Sequence, residues 1–234
     1  MTPPPPRGAR KRAQLTYERL RDLYSAVTEL EHRDPFELLI ATILSAQTTD
    51  RSVNLVTPEL FKHFPTPGDL ASADPAVVER LIKPTGFFRL KTQRIIAASR
   101  KIVQEFGGVV PSTMDDLVKV PGIGRKTANV ILGVGFNVPG FAVDTHVTRL
   151  TNLLGLVKAR DPVKIEYQVC RMVPKEEWTG MSLRLILHGR RVCIARRPRC
   201  EECVLNDFCP SSCTLPKRSR KPVSKSGRRP ARSA

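Results

Sequence analysis

The stretch Val120-Pro121-Gly122-Ile123-Gly124-Arg125-Lys126-Thr127-Ala128-Asn129-Val130 places two glycines just before an apolar helix. Such a turn lets the backbone approach a ligand closely, and the N–H groups at the next helix start carry the positive end of the helix dipole. Both features suit a phosphate group. A plain helix-helix turn is the alternative on these residues alone, and the adjacent Arg125 and Lys126 favour phosphate.

Helical signals continue on both sides of this turn. Three Asp-Pro pairs predict helix starts, because each combines an N-cap acceptor with a proline suited to the first helical turn. The pairs are Asp34-Pro35, Asp74-Pro75 and Asp161-Pro162. Apolar residues recur at helical spacing on two candidate faces, Leu90, Ile95, Ala98, Ile102 and Phe106, and Val163, Tyr167 and Cys170. The sequence therefore predicts an all-α fold of about ten short helices.

Positive charge dominates the composition of this 234-residue chain, with 39 Lys and Arg against 22 Asp and Glu, a formal +17. Twelve of the basic residues lie in the acid-free ends 1–13 and 214–234, which leaves +5 between them. We expect residues 1–15 and 214–234 to be disordered basic tails that attract phosphates non-specifically, with a purely solubilising role as the alternative. A polyanionic partner is the first expectation.

Membrane and secreted classes are disfavoured. The richest apolar stretch, 36–46, is too short to span a bilayer, and the basic N-terminus lacks the apolar block of a secretory signal. We expect a cytoplasmic protein with no membrane partner.

Four cysteines lie within seventeen residues, at Cys193, Cys200, Cys203 and Cys209. This tight grouping, without a secretory signal, favours a metal site over disulfides. Zinc ribbons pair two C-x2-C turns and this segment has one, which disfavours a zinc ribbon. Cys213 is a competing fourth ligand, and Cys170 is expected in the core.

Several motifs in one order resemble the endonuclease III family of helix-hairpin-helix DNA glycosylases. They are LSAQTTD at 44–50, GFFR at 86–89, VPGIGRKTANVIL at 120–132, VDTHVTR at 143–149 and HGRRVCIARRPRCEECVLNDFC at 188–209. The resemblance implies two helical lobes with a DNA-binding groove between them. One is a six-helix lobe over 28–138 containing the helix-hairpin-helix. The other combines 16–27 with 139–213 and carries a [4Fe-4S] cluster on the four cysteines.

The resemblance implies base-excision repair by a bifunctional DNA N-glycosylase that removes oxidised pyrimidines and is also an abasic-site lyase. The family's catalytic lysine falls on Lys126 and its aspartate on Asp144. A neutral lysine amine can attack the anomeric carbon, which we expect burial or a nearby cation such as Arg125 to promote. Asp144 would stabilise the oxocarbenium-like charge. The alternatives are a phosphate contact for Lys126 and a helix N-cap for Asp144.

Reaching the reactive carbon requires the nucleotide to leave the stack, and the gap must then be filled. The matching loop residues are Gln47, for the orphaned base, and Phe87, as an apolar wedge where the family more commonly has Leu. A helix-terminal Gln and a core aromatic are the alternatives. The remaining predicted DNA contacts are Gly122, Gly124, Arg125, His146, Arg196, Arg197 and Arg199. Arg190 and Arg191 extend this arginine-rich edge.

Two other functions stay open at this point. A monofunctional mismatch glycosylase, acting on uracil, thymine or adenine, shares the hairpin and the cluster but usually lacks the lysine. A non-catalytic helix-hairpin-helix protein would bind DNA without releasing a base. In each case we expect a monomer on double-stranded DNA, with damaged bases or abasic sites for the enzyme, associated with the nucleoid if the source is bacterial.

Overall fold

Residues 4–214, which the computed structural model describes, are helical and contain no β-strand. The α-helices are α1 (Ala9–Leu23), α2 (Pro35–Leu44), α3 (Asp50–Asn54), α4 (Thr57–His63), α5 (Pro67–Ala71), α6 (Pro75–Ile82), α7 (Phe88–Phe106), α8 (Met114–Leu117), α9 (Arg125–Val130), α10 (Thr145–Leu153), α11 (Pro162–Cys170) and α12 (Trp178–Arg191). Short 3-10 turns lie at Lys83–Thr85, Lys175–Glu177 and Cys200–Glu202, and a π-helical turn at Ile131–Gly135 follows α9. The predicted all-α class is confirmed.

The three Asp-Pro helix starts are confirmed. Asp34 accepts a hydrogen bond from the Glu37 N–H, Asp74 from Ala76 and Asp161 from Lys164, and a proline opens each helix. An aspartate cap satisfies an N–H group that has no partner inside the helix, so these starts are set by local sequence.

Two buried cores divide the described residues. The first, which we call the hairpin lobe, draws its buried apolar side chains from 30–132 and contains α2 to α9. The second, the cluster lobe, draws them from 9–20 and 141–205, so α1 packs with α10 to α12. The chain therefore leaves the cluster lobe after its first helix and returns to it at residue 141.

Helix α1 corrects the predicted N-terminal tail. It begins at Ala9, so the expectation of disorder over 1–15 is wrong for residues 9–15, and Ala9 and Ala13 are fully buried. Arg12 donates to the carbonyl oxygens of Leu154 (2.8 Å) and Gly155 (2.6 Å). The buried residues at the start of α1 are alanines that alternate with basic residues, so hydropathy does not indicate a buried helix there. Residues 215–234 of the predicted C-terminal tail lie outside the described part of the chain.

The predicted apolar face of α11 is also wrong. Val163 and Tyr167 are exposed, and the helix instead buries Ile165, Gln168 and Val169. Cys170, predicted in the core, packs against the buried residues of the cluster lobe, and burial raises the pKa of its thiol to about 12. Helical spacing identified the helix, but neighbouring helices decided which side is covered.

The face predicted for α7 is confirmed except at its start. Ile95, Ala98 and Ile102 are fully buried and Phe106 packs against the core, whereas Leu90 is exposed. Among residues 4–214, no helix combines the length and the apolar character needed to cross a membrane.

Because α1 packs into the cluster lobe, alanine substitutions on the two sides of its last turn are expected to change the free energy of unfolding by unequal amounts. Leu20→Ala is expected to lower the free energy of unfolding by about 2 to 5 kcal/mol, because Leu20 is fully buried. Leu23→Ala on the exposed side is expected to cost less than about 0.5 kcal/mol. Chemical denaturation followed by circular dichroism measures both. Equal effects would mean that α1 does not belong to this core.

Candidate active site and cluster loop

The glycine turn between α8 and α9 presents its backbone to solvent. Gly122 and Gly124 are exposed, while Ile123 between them is buried. Gly122 has a left-handed φ of 87°, which a side chain would strain. Gly124 precedes α9 as its N-cap and, as a glycine, offers no side-chain cap to the first N–H groups of that helix. The turn thus has the open form that the sequence predicted for a phosphate contact.

Lys126 and Asp144 come from different lobes and line the same cavity of about 90 Å³. Lys126 lies in the first turn of α9 and is exposed. Asp144 caps α10, with its Oδ1 accepting from the Val147 N–H at 2.8 Å. The N-cap interpretation of Asp144 is therefore present in the structure, and it fixes the carboxylate beside the cavity. A cap and a role in catalysis are compatible.

Arg125 pairs with an acid of the cluster lobe. Its Nε and Nη2 donate to the two carboxylate oxygens of Glu166 on α11, at 2.8 and 2.7 Å, and its guanidinium lies 5.5 Å from the ring centre of Tyr167. The hydrogen bond to Glu166 raises the pKa of Arg125. Arg125 is therefore paired with an acid of the cluster lobe, while Lys126 is exposed.

The predicted DNA-inserting residues share an unusual backbone conformation. Gln47 and Phe87 have φ values of 54° and 47°, in the left-handed region that non-glycine residues rarely occupy. Phe87 is 65% exposed, so the core alternative for this aromatic is wrong. Gln47 is also exposed and lies in the loop between α2 and α3. Both side chains are free to meet a ligand.

His146 is held mainly by helix packing. It lies in the first turn of α10, half-buried, with Nδ1 3.4 Å from Nη2 of Arg149. A Cβ added to Gly189 of α12 would lie 2.9 Å from its Cβ, so α10 and α12 meet closely there. Its predicted DNA contact would need only the remaining exposed part of the ring.

The arginines around the cluster loop fall into two groups. Arg196, Arg197 and Arg199 are exposed, and of these three only Arg199 has a carboxylate nearby among residues 4–214, that of Glu202 at 3.6 Å. Arg190 and Arg191 are instead paired with acids. Of the five arginines of the predicted edge, Arg196 and Arg197 therefore remain without a carboxylate partner within the described residues.

The Arg190 pairing also ties the lobes together. Its Nη1 lies 2.7 Å from Asp50 of α3 and 2.6 Å from Glu29, and Glu29 also pairs with Arg191 at 2.9 Å. Asp50, Glu29 and Arg190 line the cavity that contains Lys126 and Asp144. Sequence spacing gave no indication of this network, because its members are far apart in the chain.

All four predicted cysteine ligands line one cavity of about 160 Å³ in the cluster lobe. Its other walls are mainly apolar, including Leu150, Leu153, Leu154, Ile194 and Leu205. No three His, Cys, Asp or Glu side chains among residues 4–214 are spaced to hold a single ion. Cys213 is exposed and outside the lining. Four thiols around one apolar cavity fit a [4Fe-4S] cluster.

A buried histidine faces this cavity. Nε2 of His188 lies 3.3 Å from Sγ of Cys203, and Nδ1 lies 3.3 Å from the Tyr24 hydroxyl. Burial lowers the pKa of His188 to about 4 and raises the pKa of Cys203 to about 11. When the Tyr24 hydroxyl donates to Nδ1, the Nε2–H points at the sulfur, so one neutral tautomer satisfies both contacts.

Two family models match the chain. One, described as HhH-GPD superfamily base excision DNA repair protein, matches residues 40–175, and the other, the iron-sulfur binding domain of endonuclease III, matches residues 193–209. Endonuclease III of Synechocystis is 49% identical over 82% of this chain and 89% of its own. The chain belongs to the endonuclease III family.

Solved structures agree with this assignment. A non-covalent endonuclease III–DNA complex matches 86% of the chain and 95% of its own, with 38% identity and a TM-score of 0.81. A trapped covalent endonuclease III–DNA intermediate matches 86% and 96%, with 39% identity and a TM-score of 0.81. As a family member the chain is a base-excision DNA glycosylase and abasic-site lyase that carries a [4Fe-4S] cluster. The iron-sulfur model begins at Cys193 and ends at Cys209.

The contact from His188 to Cys203 predicts an effect on the cluster. His188→Leu removes the N–H donor while keeping an apolar side chain, and we expect roughly tenfold faster loss of the cluster's visible absorbance and iron. A donor to a thiolate favours the reduced cluster, so its removal is also expected to lower the reduction potential. His63→Leu, on the surface of α4, is the control. Equal stability and potential in the two variants would show that the contact has no influence.

Proposed function

We propose that this protein releases oxidised pyrimidines from duplex DNA through Lys126 and Asp144. The observation that carries the proposal is the shared cavity, where the hairpin lobe supplies an exposed amine and the cluster lobe a carboxylate fixed as a helix cap. The open glycine turn lies immediately before Lys126, so a phosphate bound there would place the neighbouring sugar near the amine.

The amine of Lys126 attacks C1′ of the damaged nucleotide, and the bond from C1′ to the base breaks with its electron pair leaving on the base. The lysine nitrogen passes one proton to the departing base. The bond from C1′ to the ring oxygen then breaks, the ring oxygen takes a proton from water, and a protonated Schiff base joins Lys126 to C1′. The imine acidifies C2′, and loss of a C2′ proton expels the 3′ phosphate. These steps account for base release and for strand cleavage 3′ to the lesion.

Asp144 acts on the charge that develops before the base has left. Its carboxylate is held in place by the Val147 N–H, so little reorganisation is needed when positive charge forms at C1′. Moving a proton to or from the reacting groups is a second role. Because Lys126 is exposed in the free protein, we infer that bound DNA supplies the enclosure that favours the neutral amine.

DNA is contacted by groups that the structure leaves open. We propose Gly122 and Gly124 for a backbone phosphate, and Gln47 and Phe87 for the gap left by the extruded nucleotide. The cluster-loop arginines 196, 197 and 199 would bind phosphates further along. Arg125 and His146 remain predicted contacts, although each already has a protein partner.

We propose Cys193, Cys200, Cys203 and Cys209 as the cluster ligands. The glycosylase reaction transfers no electrons, so the role we propose for the bound cluster is structural. When bound, it supplies a rigid anchor. The chain's own contribution is to hold the loop 194–199 at both ends, and that loop carries the exposed arginines. Burial raises the pKa of Cys193, Cys203 and Cys209, so these three thiols need positive charge nearby to ionise.

We further propose that the protein acts as a monomer on double-stranded DNA containing damaged bases or abasic sites, in the cytoplasm at the nucleoid if its source is bacterial. The support is that both halves of the candidate site come from one chain.

Borohydride reduction tests the nucleophile, because it converts a Schiff base into a stable amine. The wild-type protein is expected to become covalently linked to thymine-glycol and abasic duplexes but not to a uracil-mismatch duplex. Lys126→Ala should abolish the linkage, and Lys62→Ala on the surface of α4 should retain it. Normal trapping by Lys126→Ala would contradict the assignment. Trapping on the uracil duplex would contradict the proposed lesion class.

Asp144→Asn separates the cap from catalysis, since Asn caps helices about as well as Asp. We expect single-turnover base release to fall about 100-fold to 1,000-fold, with the free energy of unfolding changed by less than about 0.5 kcal/mol. Asp161→Asn makes the same change at the α11 cap and should leave base release unaltered. If both variants keep wild-type rates, the Asp144 carboxylate is only a cap.

A further inference from the structure

Lys91, in the first turn of α7, is a buried lysine without a carboxylate partner among residues 4–214. It is 2% exposed, and burial alone lowers its pKa. Burying an ammonium group is costly, and proteins usually balance it with an acid. A lysine at this position therefore requires an explanation from its contacts.

The Lys91 side chain joins two loops. Its Nζ donates to Oγ1 of Thr48 at 2.7 Å and to the carbonyl oxygen of Thr85 at 2.8 Å. The Thr48 hydroxyl donates to the same Thr85 oxygen. Thr85 is buried, and its own hydroxyl donates to the Ile82 carbonyl at 2.8 Å. We call Thr48, Thr85 and Lys91 the lysine tie.

Each loop carries a strained residue next to this tie. Gln47 immediately precedes Thr48, and Phe87 follows Thr85 by two residues. These are two of the three non-glycine residues with positive φ in the described chain, the third being Asn137. Strained backbone persists only where its surroundings hold it, and the lysine tie is the hydrogen-bonded contact between the two loops.

We propose that Lys91 is a positioning residue that holds Gln47 and Phe87 at one fixed spacing, so that both enter the DNA stack as a unit. This proposal rests on the DNA-inserting roles proposed for these two residues. The tie places no group of Lys91 at the reacting atoms. Its effect is that neither loop has to be ordered separately when DNA binds, which lowers the cost of opening the stack.

The proposal predicts that stability and stack opening respond differently. Methionine fills much of the space of a lysine without its charge, and replacing a buried charge by an apolar side chain is often neutral for stability. Lys91→Met loses both hydrogen bonds that Lys91 donates and leaves only the bond from the Thr48 hydroxyl to the Thr85 oxygen. Thr48→Val removes the hydroxyl that accepts from Lys91 and donates to Thr85. Thr48→Ser keeps that hydroxyl and should retain wild-type function. Lys101→Met, on the same helix in a surface pair with Glu105, is the matched control.

The first measurement needs no catalysis. A duplex carrying a stable abasic analogue opposite 2-aminopurine reports, by fluorescence, whether the opposite base becomes unstacked when the protein binds. Wild type, Thr48→Ser and Lys101→Met should increase the fluorescence, and Lys91→Met and Thr48→Val should lose most of that increase. An unchanged increase in Lys91→Met would overturn the proposal.

The second measurement compares two substrates. Single-turnover base release from a thymine-glycol duplex should fall about tenfold to 100-fold in Lys91→Met and Thr48→Val. Strand cleavage at an abasic site in single-stranded DNA, which has no stack to open, should stay at the wild-type rate. Equal losses on both substrates would overturn the proposal in favour of general structural damage. Failure of the wild-type protein to release the base would instead refute the proposed function, while the fluorescence measurement would still decide the role of Lys91.

Discussion

The bidentate pair between Arg125 and Glu166 holds the helix that carries Lys126 against the cluster lobe, and the geometry of the site depends on this contact. Lys126 and Asp144 belong to different cores, so their separation is set by how the lobes meet. A paired guanidinium and carboxylate in two parallel hydrogen bonds fixes orientation as well as distance. Surface ion pairs add little stability, and the value of this one lies in its geometry.

The cluster lobe provides the other half of that geometry. The N-terminal helix α1 packs against α12, and Arg12 binds the carbonyl oxygens at the end of α10. The same α12 supplies His188 to the cluster cavity and Arg190 to Asp50 of the hairpin lobe. One helix thus links the cluster cavity to the cavity that contains Lys126 and Asp144.

Local signals in the sequence were reliable. Aspartate caps predicted helix starts, the two glycines predicted an open turn, and the grouping of the cysteines predicted a metal site, because each depends on residues close in the chain. Predictions that depended on a partner from a distant part of the chain were not reliable. The sequence predicts a tail at the start of α1, because the residues buried there are small. It predicts the wrong buried side for α11, because helical spacing alone does not tell which side a neighbour covers.

The sequence by itself determined the all-α class, the family, the cluster segment and the two candidate catalytic residues, since these follow from short motifs. Only the tertiary structure decided that Arg125 and Arg190 bind acids of other elements, that Phe87 is exposed, and that Lys91 joins two loops. The physical reason is that pairing and burial depend on groups brought together from distant parts of the chain. The partner of a charged side chain and the exposed fraction of an apolar one are set only when the helices pack together.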